Sequence, residues 1–524
     1  MSRDSDHMEN HGRRESPLDC TKGATSRDCD ALSSQEGESG EPQDKLTGKP
    51  RGALIARNSV ILVAVEVIAK ILGMLVFVWM ARTVGARELG IYGFAISLCS
   101  IAALLPRFGF ERYVQREVPR KPQDFPVIWA TILSIKLPLC IPASLVVLAV
   151  LWITGSDPAK TTITLLILAA MLLCDFLWFH AACFRAFQRA PYEAYARMLF
   201  SGVYVSLSFI ALRAGLGVTG IAVALILAAI AAVSFSVRLL HYRIYPLTFA
   251  VDRSSFRRVI TTCVPFFLLM LIVMIHSQFD VLLLSFLADD YQVGIYVAAM
   301  KIFETTSLIP AGIMGAVLPA LSRDWSISKA AFSGTFATSF RYLTVIGLPI
   351  AAGGSLCATG LLSLLYGSQY NDSGAVLTIL IWTVIFSFWN HLLFTAMIAM
   401  DRERPLIYIS LGGVLMNLAL NLVLIPRLGA IGSSIAMVGA QAFLMAITVP
   451  PVFAAVPKGR EIAISLLRPC LCTALMLGTL WTMQTTPVIV RILVAMVVYS
   501  LAILSSGAVA ISELRTLRGA TPPA

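Results

Sequence analysis

Residues 405–426 read PLIYISLGGVLMNLALNLVLIP, a stretch without a single charged side chain. An α-helix rises about 1.5 Å per residue, so this stretch is long enough to cross a hydrocarbon core about 30 Å thick. Residues 428–457 are also free of charge, and only Arg427 separates the two stretches. Because a spanning β-strand needs only about half this length, the pattern predicts transmembrane α-helices.

Similar apolar runs recur along the whole chain of 524 residues. Six lie in the C-terminal half, at 342–371, 373–400, 405–426, 428–457, 469–490 and 492–512. Eight more are expected upstream, near 59–80, 91–113, 127–153, 161–183, 196–212, 217–237, 260–287 and 294–320. With 57% hydrophobic residues, 14% charged residues and a mean hydropathy of +0.79, the composition excludes a water-soluble globular protein. The sequence predicts an all-α polytopic membrane protein of about fourteen transmembrane helices.

The N-terminal segment differs from the rest of the chain. Residues 1–50 carry 11 acidic and 7 basic side chains and no aromatic residue. Such a segment cannot bury enough apolar surface to offset the entropy cost of ordering, and it lacks the basic-then-apolar pattern of a signal peptide. We therefore expect residues 1–56 to form a disordered cytoplasmic tail. Residues 51–524 have a formal charge of +15, which suits positive cytoplasmic loops and an anionic cargo.

Lys and Arg residues are distributed unevenly between the two sets of connections. The connection between the second and third spans holds Arg107, Arg112, Arg116, Arg120 and Lys121, and that between the sixth and seventh holds Arg238, Arg243, Arg253, Arg257 and Arg258. Alternate connections hold far fewer basic residues. Because positive loops stay in the cytoplasm, both termini are predicted to be cytoplasmic.

Two short motifs recur at similar offsets. Residues 89–92 (LGIY) reappear as 293–296 (VGIY), and the pattern LGxxG occurs at 216–220 and at 428–432. Six predicted spans separate the members of each pair, so the two halves would have the same orientation, related by an axis along the membrane normal. This predicts two six-helix lobes in pseudo-two-fold arrangement, residues 57–245 and 246–457, followed by a C-terminal helix pair and short tail, residues 458–524.

Several motifs resemble a known family in their order and spacing. They are the run ARTVG at 81–85 followed by LGIY at 89–92, Arg116-Glu117, Asp280 with the apolar residues 281–284, VGIYVAAMK at 293–301, LYGxxY at 365–370, and the stretch from Asn417 through Asn421 to Gly432. Over residues 55–450 the chain is similar to the polysaccharide transport family, the Wzx-type lipid-linked oligosaccharide flippases of the MOP (MATE-like) superfamily.

The resemblance implies a V-shaped pair of lobes around a cationic central cavity, alternating access, and a lipid-linked sugar as cargo. It also implies that the last two helices can form a groove for a polyprenyl tail, as in the related lipid II flippases. One departure is Lys70, where relatives more often have Arg. Lysine keeps the charge but loses the planar fork that grips a diphosphate with two parallel hydrogen bonds.

Charged residues inside the spans are the candidate site, because a charge at the bilayer centre costs at least about 2.5–3.5 kcal/mol. The candidate substrate-binding cations are Lys70, Lys136, Lys301, Arg82 and Arg112. Lys136 has no acidic residue within a helical turn, which favours a cation that faces a cavity. Two alternatives are an unrecognised neighbour and a side chain that extends to the interface. Arg82 and Arg112 lie near span ends, where extension to the interface is the simpler interpretation.

Four acidic residues are candidates for ion coupling or for a structural role. They are Glu66, Asp175, Asp280 and Glu304. Glu66 with Lys70, and Glu304 with Lys301, stand one turn apart, so each pair could simply neutralise itself. Asp175 with His180 could carry a proton, although an Asp175 that caps a helix or pairs with Arg185 is the plainer interpretation. Asp280 is either a hydrated residue at the outer end of its span or a structural or ion-coupling acid.

The sequence contains no catalytic motif such as a P-loop, HExxH or GxSxG, and its ten cysteines show no metal-binding spacing, so we predict neither enzyme activity nor a cofactor. The expected function is a flippase of the bacterial inner membrane that moves a polyprenyl-diphosphate-linked oligosaccharide to the outer leaflet. The alternative is a cation-coupled MATE-type antiporter. A membrane glycosyltransferase or polymerase is less favoured because the external loops are short. Expected partners are the lipid-linked glycan, membrane lipid and a polymerase or chain-length regulator, but no nucleic acid.

Overall fold

The computed structural model describes residues 51–247, 249, 251–456 and 466–507, with the backbone alone at 51–59, 253, 308 and 311. These residues form α-helices with three short 3-10 turns and no strand. The helices of the first half are α1 (Arg51–Ala102), α2 (Leu104–Arg107), α3 (Phe110–Glu117), α4 (Phe125–Ile153), α5 (Pro158–Ala186), α6 (Ala190–Arg213) and α7 (Gly217–Arg243).

The second half continues with helices of more varied length. They are α8 (Phe256–Leu287), α9 (Asp290–Thr306), α10 (Leu308–Ile327), α11 (Lys329–Tyr366), α12 (Ser373–Leu380), α13 (Thr383–Ala399) and α14 (Glu403–Phe453). Helices Leu467–Thr482 and Val488–Ser505 follow and form the C-terminal helix pair. The prediction of an all-α polytopic membrane protein is confirmed.

A single glycine forms the joint between two helices at two places where a connection between spans is predicted. Helix α1 runs through the connection expected between residues 81 and 90, and only Gly85 leaves the helical conformation, at φ 83° and ψ 171°. Gly429 does the same in α14, at φ 55° and ψ −132°. A positive φ is inexpensive only for glycine, so one residue can separate two helices without a loop. The joint at Gly85 lies within the longer connection predicted between residues 80 and 91, and the joint at Gly429 lies two residues after the one predicted at Arg427.

Ten helical segments of the described residues are long and apolar enough to cross a membrane. Two of them, Val60–Glu117 and Glu403–Phe453, contain the glycine kinks and so hold more than one straight helix each. The number of fourteen spans stays a prediction. Helix α1 already begins at Arg51, inside the tail predicted for residues 1–56, whereas residues 1–50, 457–465 and 508–524 lie outside the description.

The two repeated motifs meet in space. A Cβ atom at Gly90 would lie 2.8 Å from the carbonyl carbon of Asp290 and 2.9 Å from the nitrogen of Gly294. One at Gly294 would lie 2.6 Å from the carbonyl carbon of Ala86 and 3.1 Å from the nitrogen of Gly90. Ala86 and Asp290 precede their glycines by the same number of residues, so the contact is reciprocal, as at an isologous two-fold interface.

The second pair of glycines is equivalent in conformation as well as in sequence. Gly217 and Gly429 both have φ 55°. A Cβ at Gly217 would face the carboxylate of Glu88 at 3.2 Å, whereas one at Gly429 would face the amide of Gln292 at 2.6 Å. Glu88 and Gln292 themselves occupy matching positions before the repeated motif. The predicted pseudo-two-fold arrangement is therefore visible at both pairs.

The C-terminal helix pair packs on α11. Tyr499 Oη donates a hydrogen bond to the backbone carbonyl of Val345 at 2.7 Å, and Met476 and Tyr499 are buried in a small apolar cluster with Cys357. Small residues let the helices approach closely, because a Cβ at Gly353 would contact Met476.

Candidate functional site

Lys136 lies in a closed ionic cluster between α2, α4 and α5. Its side chain is 1% exposed, its ammonium is paired with the Asp175 carboxylate, and it donates to the backbone carbonyl of Pro106 at 3.1 Å. Arg107 Nε binds the other oxygen of Asp175 at 3.0 Å and lies 3.5 Å from Glu111. Two cations and two acids thus balance each other within low-dielectric surroundings.

This cluster corrects two interpretations. The unrecognised neighbour of Lys136 is Asp175, on the adjacent helix, so in this conformation the ammonium does not face a cavity. Asp175 pairs with Lys136 and Arg107, whereas Arg185 lies 3.5 Å from Glu193. Sequence reasoning assigned Arg107 only to a cytoplasmic connection and missed this role.

Glu66 also has a different partner from the one expected. Its carboxylate pairs with Arg197 of α6, and not with Lys70, which is exposed one turn further along α1. Arg197 additionally lies 3.1 Å from Glu193, and its guanidinium stacks 4.5 Å from the Trp178 ring centroid. The interpretation that Glu66 and Lys70 neutralise each other is therefore wrong.

Lys301 and Glu304 form the pair that their spacing predicts. The ammonium lies 3.1 Å from the Glu304 carboxylate, with the two side chains 38% and 50% exposed. Lys301 Nζ also lies 5.5 Å from the centroid of Phe77, which belongs to α1 of the other half. This cation is thus accessible and lies where the halves face each other.

Asp280 is buried and fully engaged in hydrogen bonds. It is 3% exposed, and it accepts hydrogen bonds from Tyr296 Oη at 3.1 Å and from Asn421 Nδ2 at 2.8 Å. Asn421 Nδ2 also approaches the side-chain oxygen of Asn417 at 3.1 Å. The interpretation of Asp280 as a hydrated boundary residue is wrong; the carboxylate ties α8, α9 and α14 together.

Arg82 joins the two halves near the Gly85 kink. Its guanidinium donates to the backbone carbonyls of Leu364 and Leu365, the latter at 2.7 Å, at the end of α11. In return, Tyr370 Oη and Gln369 Nε2 donate to the carbonyl of Ala81, at 3.1 and 3.0 Å. The contact satisfies carbonyls that the helix end leaves without partners, so Arg82 has a role beyond reaching toward the interface.

A second polar contact joins the halves on the same side. Lys160 Nζ lies 2.6 Å from an Asp290 carboxylate oxygen and 4.3 Å from the Phe94 ring centroid. The two charged side chains are 13% and 18% exposed and border a cavity of about 180 Å³. Neither was a predicted site residue. Their positions at the first turns of α5 and α9, on one predicted side, are the signal that could have found them.

Aromatic residues join the halves at the opposite end. Phe108 stacks on Phe267 of α8 with ring centroids 4.8 Å apart, and a Cβ at Gly109 would lie 2.8 Å from Phe266 Cβ. Between the two ends, Ser97 Oγ donates to Gln278 Oε1 at 2.8 Å. Arg112, the remaining predicted cation, is exposed on α3.

Two family models and one curated relative match this sequence. The family model described as "Polysaccharide biosynthesis protein" matches residues 55–325, more than half of the chain, and the MatE model matches residues 265–423. The chain is 28% identical over 168 residues to the probable flippase AglR of Haloferax volcanii, a match that spans 31% of this chain and 35% of that relative.

Solved structures agree with this fold. The lipid II flippase MurJ in an inward closed conformation superposes with a TM-score of 0.68 at 14% identity, over 88% of this chain and 99% of that chain. An inward-facing MATE multidrug resistance transporter of the MOP superfamily gives 0.62 at 14% identity, over 75% of this chain and 96% of that chain. The chain belongs to the family of polysaccharide biosynthesis proteins.

Proposed function

We propose that the protein is a flippase that carries a polyprenyl-diphosphate-linked oligosaccharide from the cytoplasmic to the outer leaflet by alternating access. The proposal rests on two sets of contacts between the halves, one on each side of the contact between Gly90 and Gly294. Arg82 and Lys160 make polar contacts across the halves at one end, and Phe108 makes an aromatic contact at the other. Opening one set while the other stays closed exposes the space between the halves to one side only.

The chemistry of the cargo requires such a path. A diphosphate and sugar hydroxyls are too costly to desolvate in hydrocarbon, whereas a polyprenyl tail can stay in the lipid. The exposed cations Lys70 and Lys301 are the members of the predicted cation set best placed to meet an anionic head group, since Lys136 is buried and neutralised. The C-terminal helix pair, packed on α11, would accommodate the polyprenyl tail. The head group crosses chemically unchanged, so no catalytic residue is needed.

A cation-coupled MATE-type antiporter is the second candidate. The MatE family match over residues 265–423 and the buried Asp280 favour it. The formal charge of +15 on residues 51–524 argues against a pocket for a cationic drug. We propose the inner membrane as its location, both termini in the cytoplasm, and a polymerase or chain-length regulator as neighbours that use the flipped product.

One experiment separates the two candidates. The gene is deleted, and lipid-linked oligosaccharide on each leaflet is measured together with drug susceptibility. A flippase predicts accumulation on the cytoplasmic leaflet that the intact gene reverses, with unchanged drug susceptibility. Increased drug susceptibility without any accumulation would favour the antiporter and overturn the flippase.

A further inference from the structure

Arg197 is held by two carboxylates that differ in exposure. Glu193, on the preceding turn of α6, is 1% exposed and lies 3.1 Å from Arg197 Nη2. Glu66, on α1, has a side chain that is 43% exposed and pairs with Nη1. The buried partner therefore fixes the guanidinium from within the first half, while the exposed partner can leave for water.

The guanidinium is positioned rigidly. Trp178 covers one of its faces at 4.5 Å, so its planar fork keeps one orientation. Arg185, 3.5 Å from Glu193, shares that carboxylate and leaves it only partly available to Arg197. A planar fork of this kind binds two oxygens of a phosphate as well as it binds a carboxylate.

A second cation lies nearby on the exposed side. Lys70 follows Glu66 by one helical turn and is exposed. Removal of the Glu66 carboxylate from Arg197 would leave one positive charge on α6 and another on α1. Arg197 lies about two turns after Ala190, the first residue of α6. Glu66 lies about two turns after residue 59, where the first span is predicted to begin, so the Arg197–Glu66 pair lies toward the predicted cytoplasmic side.

We propose that Arg197 is a diphosphate-binding residue on the predicted cytoplasmic side, and that Glu66 is an internal anion that the cargo displaces. The proposal rests on the proposed flippase function. The ligand class is a lipid diphosphate; the phosphate of an anionic phospholipid has related chemistry and is tested separately. In the empty protein Glu66 neutralises Arg197, and when cargo arrives its diphosphate takes the place of the Glu66 carboxylate, so Arg197 has an anionic partner in both states.

The test measures binding of undecaprenyl diphosphate to the full-length protein in detergent, with phosphatidylglycerol in a parallel titration. Arg197→Gln should weaken binding by about tenfold, because a charge-assisted bidentate contact is lost. Glu66→Gln should instead tighten binding by about threefold, because the competing anion is removed. Arg213→Gln is the matched control: Arg213 lies on the same helix and stacks on Trp79 and Phe209, and this variant should bind like the wild type.

Opposite effects of the two variants distinguish ligand binding from a merely structural ion pair, which would give effects of the same sign on stability and none on affinity. Wild-type affinity in both Arg197→Gln and Glu66→Gln would overturn the proposal while leaving the flippase intact. Equal changes in phosphatidylglycerol binding would assign the site to bulk lipid and overturn its role for cargo. If the wild type does not bind undecaprenyl diphosphate at all, the proposed function fails together with the site.

Discussion

Gly90 and Gly294 approach each other backbone to backbone, each occupying the space that a side chain on the other would need. The two residues hold matching positions in the repeated motif, so the contact lies on the axis that relates the halves. Main-chain contacts of this kind involve no rotamers, so in the proposed alternating-access cycle the halves would turn about them without repacking side chains.

Because of the contact between Gly90 and Gly294, adding a single methyl group at Gly90 should lower the stability of the protein. Gly90→Ala should destabilise the protein by about 1–3 kcal/mol, because the new methyl group meets backbone atoms that cannot move aside. Thermal unfolding in detergent measures the change. Gly73→Ala is the control in the same helix, since nothing lies within 4 Å of a Cβ there. Equal melting temperatures for the two variants would show that the axis tolerates a side chain.

The Lys160–Asp290 pair predicts a charge-swap result. Lys160→Asp or Asp290→Lys alone should lower polysaccharide export, because two like charges then face each other where the halves meet. The double variant should recover export, with a coupling energy of about 1 kcal/mol or more in a double-mutant cycle. Export in a deletion strain gives the readout. Additive losses in the double variant would mean that the two residues act independently.

Substitutions in the buried cluster around Lys136 should lower the stability of the protein as well as its transport activity. Lys136→Gln should cost about 3–5 kcal/mol, because Asp175 loses one of its two cations in a buried site. Folded protein, measured by size-exclusion chromatography, should fall sharply, and the double variant with Asp175→Asn should recover part of it. Normal folding of Lys136→Gln with no export would instead support a direct contact with cargo.

Substitution of Lys301 should lower transport without lowering the stability of the protein. Lys301→Gln should abolish or strongly reduce export at normal abundance, because an exposed pair with Glu304 contributes only about 0–1 kcal/mol to stability. Lys301→Arg should retain more export than Gln, since charge is the property in use. Lys329→Gln, on an exposed lysine at the start of α11, is the control. Wild-type export by Lys301→Gln would exclude this cation from the path of the cargo.

The topology is a prediction that reporter fusions can check. Fusions after Asp157 and Asp372 should report from outside, and fusions at Lys121 and Arg404 from the cytoplasm, because of the uneven distribution of Lys and Arg. The opposite set of signals in either half would contradict the predicted orientation.

Features that depend on a local pattern could be predicted from the sequence, whereas ion pairs between residues far apart in the chain could not. Apolar runs and the repeat containing Gly90 and Gly294 could be recognised directly, because helix length and backbone packing leave a trace in composition. The i,i+4 spacing of Glu66 and Lys70 suggests that they could pair, yet the partner of Glu66 is Arg197, 131 residues away. Lys136 was separated by 39 residues from Asp175. Helix-to-helix contacts of this kind leave no spacing signal in a single sequence.

In the predicted topology, the kinks at Gly85 and Gly429 also leave the outer surface without an extended loop at either place. Other connections on the predicted outer side are short: α4 ends at Ile153 and α5 begins at Pro158, while α8 ends at Leu287 and α9 begins at Asp290. Proteases cut preferentially at exposed loop tips, and a surface made of abrupt helix ends offers few of these. In the proposed topology, an extracytoplasmic enzyme that takes up the glycan would have to recognise these short helix ends or the lipid beside them.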